Sequence, residues 1–160
     1  MPVITADPVR DDELLITRTF DAPVAAVFRL WADPVHLRRW WGPRDYTCSH
    51  FEADFRPGGA WRACIVSEAT GESWMSGRYR EIEPERHIVF SFTWEAHPGD
   101  PGSDTIVTVT FREQGGRTVQ SFHQAPFTAV ESRDSHIGGW SQCLDSEADY
   151  LRRLGGENRP

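Results

Sequence analysis

The chain is short of cysteine, short of positive charge and without a long apolar run, and each shortage closes off a class of function. Cys48, Cys64 and Cys143 are an odd number with no C-x-x-C pair, so neither a disulfide framework nor a thioredoxin-like motif is present. All three are expected to act as small buried apolar groups. Arginine and lysine total 17 against 24 acidic residues, a formal net charge of −7. Non-specific binding to nucleic acid or to an anionic membrane depends on a basic face, so neither is expected as a partner. Arg38, Arg39 and Arg44 form one local basic group, read as a solvated helix face. No stretch approaches the roughly 20 apolar residues of a helical span, so membrane insertion is not expected. Asp7, Asp11, Asp12 and Glu13 stand where a signal peptide would be basic and then apolar, which makes a cytoplasmic location the default.

Chemical signatures are equally sparse. There is no G-x-S-x-G elbow, and Gly58-Gly59 and Gly138-Gly139 match neither the P-loop nor the dinucleotide fingerprint. Cys48-x-His50 would project both side chains from one strand face. Zinc takes three or four protein ligands, however, and the expected hairpin sets Cys64 opposite Phe51 or Glu52. No metal, cofactor or catalytic residue is assigned.

What the chain does have is aromatic mass and clear punctuation. Seven tryptophans and nine phenylalanines lie in 160 residues, enough for one domain that buries roughly 70% of its unfolded surface. Residues 1–12 read as a loose leader, 13–155 as the domain and 156–160 as a tail. Glu13–Phe20 reads as a first strand. Asp21-Ala22-Pro23 and Asp33-Pro34 read as two helix starts, with Val24, Val27, Phe28 and Trp31, then Leu37, Trp40 and Trp41, as apolar faces. Gly42-Pro43 ends the pair.

Three hairpins follow: 46–55 with 60–66, 72–82 with 87–94, and 105–111 with 117–124. Arg56-Pro57-Gly58-Gly59 has the proline and glycine of a type II turn. A two-residue turn at Pro84-Glu85 would set Gly77 opposite Phe92 and Tyr79 opposite Phe90. Glu81, near its strand end, is expected to pair with Arg78 or Arg80. Residues 96–103 are too rich in proline and glycine for regular structure and read as a long flexible loop. Ile137, Trp140, Leu144, Ala148, Leu151 and Leu154 then recur at helical spacing up to Gly155-Gly156. Thr128-x-x-Glu131 matches a capping box. Gly138-Gly139 inside the helix implies close approach to a strand or a ligand.

The order β, α-α, six strands, α predicts an α+β fold with a curved antiparallel sheet wrapped on the last helix. The chain resembles the START-like (SRPBCC) superfamily, and within it the branch named after the activator of the heat-shock chaperone ATPase. The resembling marks are Arg18-Thr19-Phe20-Asp21-Ala22-Pro23, Val27-Phe28, Trp31, Asp33-Pro34, Trp40-Trp41-Gly42-Pro43, Asp54-Phe55-Arg56-Pro57-Gly58-Gly59, Gly77 with Glu81, and Gly139-Trp140. The resemblance implies a helix-grip fold with a cavity between sheet and C-terminal helix. It implies no single activity, since relatives include lipid carriers, hormone receptors, polyketide cyclases and co-chaperone domains.

Trp61, Tyr79, Phe90, Phe92, Trp140 and Leu144 are the candidate lining of that cavity, with His123 as a polar anchor whose direction depends on hairpin register. His136 reads as a helix-start residue. The leading expectation is a non-enzymatic module binding a small apolar or amphipathic molecule. One rival is a cavity enzyme of the cyclase or hydratase kind, which needs at least two inward titratable groups. The other is a protein-interaction domain with an exposed apolar patch around Trp40, Trp41 and the 95–103 loop, a surface that could also serve a homodimer.

Overall fold

A computed structural model describes residues 10–95 and 104–157, with the side chains of 156 and 157 excepted. The 96–103 loop and the leader before residue 10 lie outside the described residues. The elements are β1 (Leu14–Phe20), α1 (Val24–Ala32), α2 (Pro34–Trp40), β2 (Thr47–Ala53), β3 (Ala60–Ser67), β4 (Gly71–Glu83), β5 (His87–Trp94), β6 (Thr105–Gln114), β7 (Arg117–Ala125) and α3 (Val130–Glu157). The strands form one antiparallel sheet in the order β1-β7-β6-β5-β4-β3-β2. It curls into a half-barrel around α3, as expected from the order of the elements, and this is the helix-grip fold that the family resemblance implies.

Alternation along each strand decides what meets the helix. Thr118, Gln120, Phe122 and Gln124 of β7 and Leu14 and Ile16 of β1 are buried on the concave face. Polar groups tie α3 there: Arg18 reaches Asp145 Oδ1 at 2.6 Å and the Ser141 carbonyl at 3.0 Å. Trp31, on α1, donates its indole N–H towards both Gln120 Oε1 and Glu147 Oε2 at 3.0 Å, and Gln120 donates to Glu147 Oε1 at 2.9 Å. Trp140 donates to Gln124 Oε1 at 2.8 Å.

Several local expectations need correction. Pro23 occupies the N-cap of α1 with no side-chain cap, while Asp21 lies outside the helix and faces Arg117 at 3.7 Å. Asp33 does cap α2, accepting from the Val35 N–H at 2.9 Å. The Arg133 N–H bonds to the Ala129 carbonyl, so Ala129, not Thr128, is the cap of α3. That helix continues through Gly155-Gly156 to Glu157 rather than ending at the glycines.

The β4–β5 hairpin reaches the expected Tyr79↔Phe90 pairing by another route. Glu83 pairs with His87 across a longer turn, and an irregularity between Tyr79 and Glu81 restores the register. Glu81 thereby meets His87 Nε2 at 3.1 Å, not Arg78 or Arg80. In the β2–β3 hairpin the turn sets Ala53 opposite Trp61, which puts Cys64 opposite His50 rather than Phe51 or Glu52, and the register shifts beyond that pair, between Cys48 and His50. Among the described residues no cluster of three or more His, Cys, Asp or Glu could hold a metal, and no helix is long and apolar enough to cross a membrane.

Gly77 is required where it stands. A Cβ there would lie 1.8 Å from the Ser91 carbonyl oxygen and 2.7 Å from Trp61 Nε1. The missing side chain lets the Trp61 indole cross the strand and donate to that carbonyl at 3.1 Å.

Candidate functional site

The middle of the space between sheet and helix is filled. Trp61, Tyr79 and Phe90 pack with Trp31, Trp41 and Phe51 around a void of only about 10 Å³, at the lower limit of room for one water. Tyr79 and Phe90 meet edge to face at 6.1 Å, as do Trp61 and Phe90 at 5.6 Å. Leu144 is fully buried in the core and lines no open space. The three-ring set therefore packs as solid core where a cavity wall was expected.

The open space lies towards the start of α3. A groove of about 670 Å³ is bounded by the 41–46 segment, the ends of β3, β4 and β5 away from the 83–87 turn, and the first turns of α3. Phe92 and Trp140, both expected in the lining, are in its wall. Trp41 and Trp140 meet at 5.3 Å and 84°, Phe92 and Trp94 at 5.3 Å and 81°, and Phe92 and Trp140 at 5.8 Å and 69°. These steep angles make the rings walls of a box rather than a stack.

His123 is not part of the groove. It lies on β7 between inward-facing Phe122 and Gln124, so it points to the convex side, where Nε2 meets Glu13 Oε2 at 3.0 Å. That bond is the main reason why the Glu13 carboxyl sits below its ordinary range.

His136 takes the position nearest to the one expected of His123. Its Nδ1–H donates to the Ser132 carbonyl at 2.7 Å, and its Nε2 accepts the Trp94 indole N–H at 3.0 Å. Both ring nitrogens are thus committed in the neutral tautomer, and burial lowers the pKa, opposed by the bond to the Ser132 carbonyl. Cys143 accepts the Gly42 N–H at Sγ (3.3 Å), and burial pushes its thiol pKa up.

The α3 wall was legible in the sequence, because His136, Gly139, Trp140 and Cys143 recur at helical spacing on one face. Trp94 follows Phe92 by the strand period of two. Trp41 and Tyr46 carry no such signal, since a loop sets their direction. Trp40 and Trp41 are 2% and 4% exposed, so the apolar surface expected around them is interior. The arginines at 38, 39 and 44 are exposed, as expected of a solvated face.

Comparison with known proteins agrees with this architecture. The structure of protein CV1439 from Chromobacterium violaceum superposes with a TM-score of 0.80 at 27% identity, covering 89% of this chain and 98% of that one. The AHSA1 protein of Silicibacter pomeroyi gives 0.77 at 22% identity, covering 89% and 99%. CalU16 from Micromonospora echinospora gives 0.64 at 21% identity, covering 91% and 82%. A search of curated proteins returned no match. Residues 21–152 match the model of the family described as Activator of Hsp90 ATPase homolog 1-like protein. With that match running from the start of the helix pair almost to the end of α3, the chain belongs to the AHSA1 family.

Proposed function

We propose that the protein binds a small, largely apolar or amphipathic molecule in the groove at the start of α3. The observation that carries this reading is the groove itself, about 670 Å³ walled by Trp41, Phe92, Trp94 and Trp140. Its size falls within the range of small-molecule sites, and apolar walls with a few polar groups are their usual chemistry. Covering about 300 Å² of apolar ligand surface is worth roughly 7 kcal/mol gross. Association and ordering costs reduce this to an affinity in the micromolar range.

Binding without chemistry is favoured over an enzymatic reading by the state of the titratable groups. A general acid or base needs a free lone pair or proton within reach of substrate. His136 has neither nitrogen free, burial favours the protonated Cys143 thiol and Glu95 is paired with Arg62. Among the described residues this leaves Glu72, where an enzyme of this kind needs at least two such groups.

The test is thermal unfolding against fatty acids, sterols, flavonoids and aromatic polyketides. A ligand at about 100 times its Kd adds roughly 2.7 kcal/mol, a shift of several degrees for this chain length. A saturable shift that disappears in Gly139→Leu, which fills the groove from α3, is the expected result. A shift that Gly139→Leu leaves intact places the ligand elsewhere and ends this reading.

A further inference from the structure

We infer that the groove selects a cationic ligand, an aromatic or amphipathic amine or quaternary ammonium, over a carboxylate or phosphate with the same apolar body. This rests on the groove being a binding site and specifies the class of molecule it takes.

The first ground is the supply of hydrogen-bond donors. An anion leaving water must be met by N–H or O–H groups. Four indoles border the groove, and every one of their N–H groups is already used inside the protein. Trp41 donates to Met75 Sδ at 3.3 Å, Trp94 to His136 Nε2 at 3.0 Å, and Trp140 to Gln124 Oε1 at 2.8 Å. Trp74, at the edge, donates to Glu72 Oε1 at 3.3 Å. The rings therefore offer the groove their π systems and none of their donors. Among the described residues the remaining lining hydroxyls are those of Ser73, Ser135 and Tyr46, the last already paired with Thr70 Oγ1 at 3.0 Å.

The second ground is charge. Among the described residues no arginine lines the groove, and the chain contains no lysine. Arg62 lies close by but makes a two-armed contact with Glu95 at 2.9 Å on each arm, and its guanidinium sits 4.0 Å over Trp74. Arg44, next in sequence to Pro43, is exposed and outside the lining. His136 is held neutral by the Trp94 N–H on its Nε2 and by burial, against the Ser132 carbonyl. Among the described residues the lining carboxylates are Glu72 and Glu95, and with Glu95 neutralised by Arg62, Glu72 supplies the uncompensated charge. Aromatic faces set at steep angles beside a carboxylate are the chemistry that receives ammonium groups. The net charge of −7 adds a field of the same sign.

Calorimetric titration with three naphthalene probes of similar shape tests the inference. The cation is (1-naphthylmethyl)trimethylammonium, the neutral probe 1-naphthylacetamide and the anion 1-naphthylacetate, all at low salt. They are titrated into the wild-type chain, Glu72→Gln and Gly139→Leu, each first checked for an unchanged circular dichroism spectrum. The expected order is cation, neutral, anion, with the cation about tenfold tighter than the amide. Glu72→Gln narrows that ratio about threefold, and Gly139→Leu removes binding of all three.

Naphthylacetate binding as tightly as the cation, and lost in Gly139→Leu, overturns the charge preference and leaves the groove as a site. Cation binding that survives Gly139→Leu places it on the acidic surface and overturns the inference. Absence of binding by every probe counts against both the preference and the site.

Discussion

The indole N–H of Trp94, at the end of β5, points at Nε2 of His136 on α3 at 3.0 Å, while Nδ1–H of the same ring is bound to the Ser132 carbonyl at 2.7 Å. This pair joins sheet to helix at the groove wall and holds the imidazole neutral. Burial lowers the His136 pKa from 6.5. The neutral form is the one that the fold favours, so its contribution is complete above about pH 6.5. It is lost as pH falls from there towards the lowered folded value. Trp94→Phe frees Nε2, and the His136 pKa is expected to rise. Imidazole NMR titration of the two proteins measures it, and an unchanged midpoint would show that the indole bond has no hold on the ring.

Glu147 carries the opposite shift. It is fully buried beneath Trp31 and Gln120, and burial pushes its carboxyl from 4.5 up to about 8 despite those two donors and the charge of Arg18. A raised folded pKa means that the native state holds the proton more tightly than the unfolded chain. The contribution is whole below about pH 4.5 and is eroded as pH rises to 8, by on the order of 4–5 kcal/mol if the shift is taken whole. Glu147→Gln keeps the hydrogen-bonding shape without the titration. Urea unfolding at pH 5 and pH 8 should show the wild type weakening relative to this variant. Parallel losses in the two proteins would assign the dependence to other groups.

The two glycines of α3 differ in what they face. A Cβ on Gly138 meets nothing within 4 Å, and one on Gly139 meets only Pro43 Cγ at an ordinary 3.7 Å. Neither glycine is therefore required by close approach to a strand, which leaves a ligand as the other neighbour expected from the sequence. Alanine at either position should stabilise the helix by about 0.5–1 kcal/mol. Gly138→Ala is expected to leave ligand affinity unchanged, whereas Gly139→Ala, with its methyl on the groove wall, should weaken it. Melting temperature and affinity for the same ligand, measured on both variants, separate the effects; equal affinities would move the ligand off that wall.

Gly77→Ala should be among the most damaging of small substitutions. Its methyl would occupy the place of the Ser91 carbonyl oxygen, 1.8 Å away, and displace the Trp61 indole from its bond to that carbonyl. A loss of about 3 kcal/mol or more is expected, read as the shift in the urea midpoint. A change below about 1 kcal/mol would mean that the strand pair can open without cost.

Periodicity and punctuation determined the fold. Alternation in β5 and β7, the prolines and glycines between strands, and the 3.6-residue spacing of α3 are local properties of the backbone, so the chain displays them in order. The helix caps were half legible: Asp33 caps α2 through its own neighbours, whereas at α1 and α3 the cap positions fell to Pro23 and Ala129. His136, Gly139, Trp140 and Cys143 could be seen as one face of a helix, and Phe92 with Trp94 as one face of a strand.

Tertiary structure decided which face of the aromatic set is solid and which is open, because packing depends on distances between elements far apart in sequence. It also decided that His123 turns outward to Glu13 while His136 turns inward to Trp94. A strand side chain changes face with a register shift of one residue, and the register of β7 against β1 and β6, which sets His123 opposite Leu15 and Thr108, is fixed by pairing between segments far apart in sequence.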